Sequence, residues 1–189
     1  MSFRNLLTLA FGLALVATPV AAASYQVDGT HSSAVFSIKH FGVSNFYGTF
    51  GEIQGTIEYD AANPGASAIQ LTIAADSVRS RHSQRDDHIK SPDFLNAKQF
   101  PTVEFKSKSV SAKGDGFEVK GDLTLHGVTK EITVMVQKTG EGKHPRSGKE
   151  LIGFESRFTV DRTEHDMNFM AGPLSEEIGF IIAVEAVKQ

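Results

Sequence analysis

From residue 34 onward, apolar and polar side chains mostly alternate with a period of two, the spacing that puts one face of a β-strand in a core and the other in water. Residues 34–40 predict a first strand with Phe36 and Ile38 on one face. A longer run over 46–59 changes parity: Phe46, Gly48 and Phe50 are even, whereas Ile53, Gly55, Ile57 and Tyr59 are odd. A one-residue slip predicts a β-bulge or sharp bend, and Gly51 sits at the break. Asn63-Pro64-Gly65 reads as a turn, and Ile69, Leu71 and Ile73 mark a third strand. After an interruption, Val103 and Phe105 restart the pattern, and Gly114-Asp115-Gly116 predicts a hairpin because glycine tolerates positive φ. Phe117 to Leu125 alternates without a fault, then Ile132, Val134 and Val136 follow a turn at His126-Gly127. The last two strands carry Ile152, Phe154, Ser156, Phe158 and Val160, then Ile178, Phe180, Ile182 and Val184. Residues 139–149, rich in Gly and Lys, read as a mobile loop, and 161–177 lose the alternation while keeping Met167, Phe169 and Met170.

The interruption, residues 77–97, is dense in charge and ends near Ser91-Pro92-Asp93, which predicts short helices inserted between strands three and four. About eight strands joined by short turns predict an all-β fold, an antiparallel sheet closed as a barrel or folded as a sandwich. The parity slip and the glycines inside strands favour the barrel, because closure needs tight coiling.

Composition adds an address and removes some chemistry. Arg4, the uncharged run 6–16 and the small residues before Ser24 have the layout of an export signal, cut after Ala23, with residues 24–189 as one domain. The run is too short to span a bilayer, so no integral membrane segment is expected after removal of the signal. There is no cysteine, so packing alone must hold the exported domain together. The 22 acidic residues against 19 basic ones argue against a nucleic-acid surface. Fourteen Phe and no Trp imply an interior of hydrocarbon with no indole donors to satisfy.

Three constellations are candidates for chemistry. His82, Asp86, Asp87 and His88 offer nitrogen and carboxylate donors, and a metal-assisted enzyme centred there is one alternative. The spacing of His82 to His88 and the flanking Arg81 and Arg85 oppose it; a solvated charged face accounts for the same residues. No Gly-x-Ser-x-Gly elbow and no phosphate-cradling glycine loop is present, so no catalytic residue, metal or cofactor is assigned. His31 beside Ser32 and His126 before Gly127 read as turn residues. The third candidate is an apolar cavity lined by Phe36, Ile38, Phe50, Leu71, Ile73, Phe105, Leu123, Leu125, Phe154, Phe158, Phe180 and Ile182. Phe41, Phe46, Phe94, Phe169 and Met170 lie outside the strand pattern or at its margins and would line or plug its mouth.

The run from Arg85-Asp86-Asp87-His88 through Ser91-Pro92-Asp93-Phe94 to Phe100-Pro101 resembles the signature of the YceI-like family. Asp28, His31-Ser32, Phe36 and His40 agree with it, as do the segment from Gly121 to Lys130 and Phe158-Thr159-Val160-Asp161-Arg162. Thr163-Glu164-His165-Asp166 departs from the family's usual continuation. The resemblance implies a lipocalin-like antiparallel barrel that works in the periplasm and holds a polyisoprenoid or other long-chain fatty amphiphile without catalysis. In that reading Arg79, Arg81, Arg85 and His88 are candidates for the headgroup, and the helical insertion is a lid. An envelope stress module that binds another protein is a further alternative, and homodimer formation is left open.

Overall fold

Eleven strands and one helix make up the computed structural model, which describes residues 22–189; the predicted export signal lies outside the described residues except for its last two. The strands are β1 (Ala23–Val27), β2 (Ser33–His40), β3 (Ser44–Phe50), β4 (Ile53–Tyr59), β5 (Ala68–Ala74), β6 (Val78–Arg79), β7 (Thr102–Lys113), β8 (Gly116–Leu125), β9 (Val128–Lys143), β10 (Glu150–Asp161) and β11 (Leu174–Lys188). The helix, α1, is Ser83–Lys90. All the pairings between strands are antiparallel, and β1 also pairs with β11, so the sheet closes on itself.

The eleven strands reduce to eight staves. β11 pairs with β2 along its first part and with β1 along its last, so β1 and β2 are one stave broken in the middle. β3 and β4 form the second stave, and β5 and β6 form the third. The remaining five are long continuous strands. An eight-stranded up-and-down barrel follows, with α1 between the third and fourth staves.

The first two breaks have local causes. At the first, Asp28 forms an Asx turn: its Oδ1 accepts from Thr30 N at 2.9 Å, and its carbonyl accepts from Ser32 Oγ at 2.7 Å. At the second, the parity change at Gly51 is a full break rather than a bulge. Gly51 N donates to buried Ser77 across the barrel wall, 3.1 Å to Oγ and 3.3 Å to the carbonyl. Glycine gives its real service elsewhere, beneath rings. A Cβ on Gly48 would lie 2.3 Å from the Phe36 ring, and one on Gly121 would lie 2.6 Å from that of Phe105. These two positions let phenylalanines lie flat against the inner wall.

Two expectations need correction. The helical stretch is shorter than 77–97: a 3-10 turn (Ala75–Ser77) and the two residues of β6 come first, and turns replace helix after Lys90. The loop over 139–149 is half strand, because β9 and β10 stay paired out to Lys143 and Glu150. Alternation vanishes there because the hairpin projects past the barrel: residues 139–143 are all exposed, and Cβ atoms on Gly140 and Gly142 would meet nothing within 4 Å, so neither face selects apolar residues. Register shifts also occur at Ser107/Ser109, Gly153/Phe154 and Leu174/Ile178, none of which the pattern announced.

Alternate connections fall at opposite ends. One end carries the β4–β5, β7–β8 and β9–β10 connections and both ends of the described chain. The other carries the β2–β3 tip, α1 with its flanking turns, the β8–β9 hairpin and residues 162–173. The interior at the first end is filled. Tyr59 packs edge-on against Phe117 and Phe154 with centroids 6.0 and 5.4 Å apart, over a layer that includes Val110, Val119, Val136 and Ile152.

Candidate functional site: a two-chamber apolar cavity

Inward residues near the middle of the barrel, among them Leu71, Ile73, Phe105, Phe158, Phe180 and Ile182, are only partly buried although they point at the core. A hollow explains this. A chamber of about 90 Å³ is lined by Leu71, Phe105, Leu123, Phe154, Phe158 and Ile182 among others. A second, of about 400 Å³, lies toward α1 and is lined by Phe36, Ile38, Phe46, Phe50, Phe94 and Met170 among others. Ile73, Val103, Leu125 and Phe180 line both, so these four side chains form the partition. The larger chamber falls within the roughly 300–1,000 Å³ usual for small-molecule sites.

Polar groups are distributed unevenly. The smaller chamber's lining is aliphatic and aromatic, save Glu104, Glu155 and Ser156. The larger one is touched by His40, Ser44, Asn45, Arg85, His88 and Arg162. Arg85 stands with its guanidinium carbon 4.3 Å from the centroid of Phe46, a cation–π contact, while its Nε and Nη2 donate to Ser80 Oγ and the Ser80 carbonyl at 2.9 and 2.7 Å. These bonds hold the charge at the lip of an apolar space.

α1 is placed by its cap. His82 Nδ1 accepts from Arg85 N at 3.4 Å, and Asp86 Oδ1 accepts from Ser80 N at 2.6 Å; the Ser80 side chain first, and then this backbone bond, hold the Asp86 carboxyl below its ordinary pKa against the opposing effect of burial. The candidate metal cluster is therefore taken apart: His82 caps the helix, Asp86 ties back to Ser80, and His88 Nε2 meets Asp93 Oδ2 at 2.8 Å. His88 also packs edge-on against Phe94 and Phe169, with centroids at 5.0 and 5.4 Å, and the two phenylalanines meet at 5.4 Å. This aromatic trio bridges the helical insertion and the β10–β11 connection over the larger chamber.

The structure sorts the sequence-based candidates. Arg85 and His88 reach the cavity, but Arg79 does not: its Nη1 donates to the carbonyls of Asp76 and Val78 and the side chain faces solvent. Arg81 sits in a left-handed turn, φ 62°, and is exposed away from the lining. An outward parity position and a turn cannot aim a side chain inward. Phe41 also points into solvent, on the β2–β3 tip, and Phe169 closes the aromatic trio from outside without lining either chamber. The other predicted lining residues do line the cavity.

One residue of the family motif had no role assigned from the sequence. Arg162 is only 1% exposed, and within the structure its guanidinium bonds to main-chain carbonyls: Ser175 at 2.9 Å, Phe169 at 3.0 Å, Leu174 at 3.4 Å, and Met167. Burial lowers its pKa, which the Glu176 and Asp161 charges partly offset. Its donors clamp the loop 167–175 onto the barrel. A signal was available: 162 continues the inward parity of 154, 158 and 160, so an arginine there had to be buried. The segment that departs from the family pattern works beside it. Buried His165 brings Nδ1 within 3.3 and 3.1 Å of the Leu125 and Val128 carbonyls, which fixes the proton on that nitrogen and ties the β8–β9 hairpin to the same loop.

The YceI-like domain family matches residues 25–186. The chain is 40% identical over 189 residues to Protein YceI of Escherichia coli O157:H7 and to that of Salmonella agona, covering 98% of this chain and 98% of each relative. Among solved structures, Burkholderia cenocepacia BcnA superposes with a TM-score of 0.76 at 20% identity over 84% of this chain and 98% of its own. A Campylobacter jejuni YceI protein gives 0.71 at 30% identity, over 80% of this chain and 90% of its own. A polyisoprenoid-binding domain from Saccharophagus degradans gives 0.64 at 16% identity, over 88% of this chain and 99% of its own.

Proposed function

The chain belongs to the YceI-like family, and from that premise and the cavity we propose that it is a non-enzymatic periplasmic binding protein for a polyisoprenoid or similar long-chain amphiphile. The carrying observation is the polarity of the cavity: a nearly apolar inner chamber lies behind four hydrophobic side chains that it shares with a larger one, whose polar groups gather at the α1 end. A ligand with an apolar tail and a polar head fits in one direction, tail toward Phe154 and head toward Arg85 and His88. Phe94 and the trio it belongs to form the lid.

The energetics fit this class. Burial of a chain of roughly 15 carbons gains on the order of 12 kcal/mol at about 0.8 kcal/mol per methylene. Ordering the chain and forming the complex take back several kcal/mol or more, which leaves room for submicromolar binding with little polar contact. The partition side chains, not hydrogen bonds, then set how long a tail is accepted. No helix among the described residues is long and apolar enough to cross a membrane.

Native mass spectrometry of protein recovered from its own compartment should show a co-purifying lipid. Absence of any adduct, together with no uptake of geranylgeraniol added from ethanol, defeats the reading. Arg85→Ala should weaken binding of a prenyl phosphate by about tenfold, with less effect on the matching alcohol, the loss expected when one charge-assisted contact is removed. Equal losses for both would leave Arg85 a structural role only.

A further inference from the structure

The β2–β3 tip carries an unexplained display of apolar surface. Phe41 is 59% exposed, Val43 85% and Tyr47 57%. Phe41 adopts a left-handed backbone, φ 50°, followed by Gly42 at φ 68°, although a bulky residue rarely takes this conformation. Its N–H is held by the Pro173 carbonyl at 2.6 Å and its ring packs edge-on against His40 at 4.2 Å. The fold thus keeps an aromatic outside when it could have been turned in. The tip directly adjoins His40, Ser44 and Asn45, which line the larger chamber, so the patch borders the mouth.

A second feature lies on the same outer face. Ser37 pairs with Tyr47, Lys39 with Asn45 and Thr49 with Arg79, which puts Lys39 and Arg79 diagonally to either side of Tyr47, roughly 7–8 Å away by strand geometry. Arg81 extends the row. All three cations are exposed, and among the described residues none is paired with a carboxylate. Lys39 stands on β2 opposite the bulge at the start of β11 that carries Glu176 and Glu177, without forming an ion pair to either, whereas Arg79 and Arg81 lie beyond β3, away from both carboxylates.

We propose that this face docks on a phospholipid bilayer, with Phe41 and Val43 entering the interface and Lys39, Arg79 and Arg81 meeting lipid phosphates. The inference rests on the lipid-binding reading, because it places the mouth where a lipid ligand enters or leaves. Apolar side chains flanked by cations are the combination that holds a protein at a bilayer surface. A second copy is the poorer occupant, since a two-fold contact through the tip would bring the two cationic rows together. Arg79 and Arg81, which fail as cavity headgroup contacts, find their role on the outside.

The test uses the purified protein with vesicles of phosphatidylcholine containing phosphatidylglycerol. Wild-type protein should co-sediment, and Phe41→Ser with Val43→Ser should lower partitioning by at least about tenfold while uptake of geranylgeraniol from ethanol stays unchanged. Lys39→Glu with Arg79→Glu should remove the dependence on phosphatidylglycerol. The proposal is overturned by vesicle binding indifferent to the tip substitutions, or by no vesicle binding by a wild type that still takes up the chain from ethanol. A tip-dependent dimer in sedimentation velocity without vesicle binding also overturns it, assigning the patch to a second copy. Failure of uptake from ethanol, by contrast, strikes the lipid-binding reading and leaves tip-dependent vesicle binding to stand as support for docking.

Discussion

Both ends of the barrel are closed by three aromatic rings, yet the two closures differ in what holds them. At the filled end, Phe117 and Phe154 stand on β8 and β10 with strand partners on both sides, and Tyr59 ends β4 paired with Ala23 of β1. At the α1 end, His88, Phe94 and Phe169 stand on a short helix, the turn after it and a loop. Moving a ring of the first trio means breaking sheet pairing, whereas moving one of the second means shifting segments tied by a few capping bonds. In the proposed reading, this difference makes one end a floor and the other a gate, with the polar groups at the gate.

The comparison can be broken most directly at the floor. Phe154→Ala should cost about 3–5 kcal/mol of stability by denaturant unfolding, because the ladders cannot collapse into the space left. A loss as small as that expected at the gate would erase the distinction. Arg162→Met should cost on the order of 3 kcal/mol, as several buried carbonyls lose their donors at once. Amide exchange should rise in residues 167–175 before the ladders open; uniform exchange would mean the clamp serves the whole barrel. Phe94→Ala, at the gate, should cost only about 1 kcal/mol of stability and speed release of a bound fluorescent isoprenoid by roughly tenfold, since few contacts hold that ring in place. Unchanged release would make the trio an ornament of the fold.

The smallest effect concerns the first broken stave. Exposed His31 sits with Nδ1 2.9 Å from Asp28 Oδ2, which raises the imidazole pKa above 6.5 and lowers the carboxyl pKa below 3.8. The histidine's contribution to stability is complete below 6.5 and lost as pH rises through its folded value. The carboxyl's contribution is present above 3.8 and lost as pH falls through its lowered value. An NMR titration should therefore find a His31 pKa above the ordinary value that returns toward it in Asp28→Asn. Glu185 Oε1 lies 3.9 Å from the same nitrogen, so a small remnant of the shift should survive.

The sequence by itself determined the period-two ladders, the count of eight staves once breaks are joined, the place of the insertion and nearly all of the cavity lining. Each of these follows from one variable, the face on which a side chain emerges, and alternation records it directly. Helix length, the paired extension of β9 and β10, and the bulge at Ser107/Ser109 escaped because small or polar residues on solvent-facing segments carry no such record. Only tertiary structure decided which arginines face the cavity. Arg79, Arg81 and Arg85 look alike in a charged run; Ser80 and Phe46 aim Arg85 inward, while β6 pairing and a left-handed turn send the other two out. The sequence shows where a charge is, but its direction depends on groups distant in the chain that fix the last few torsions.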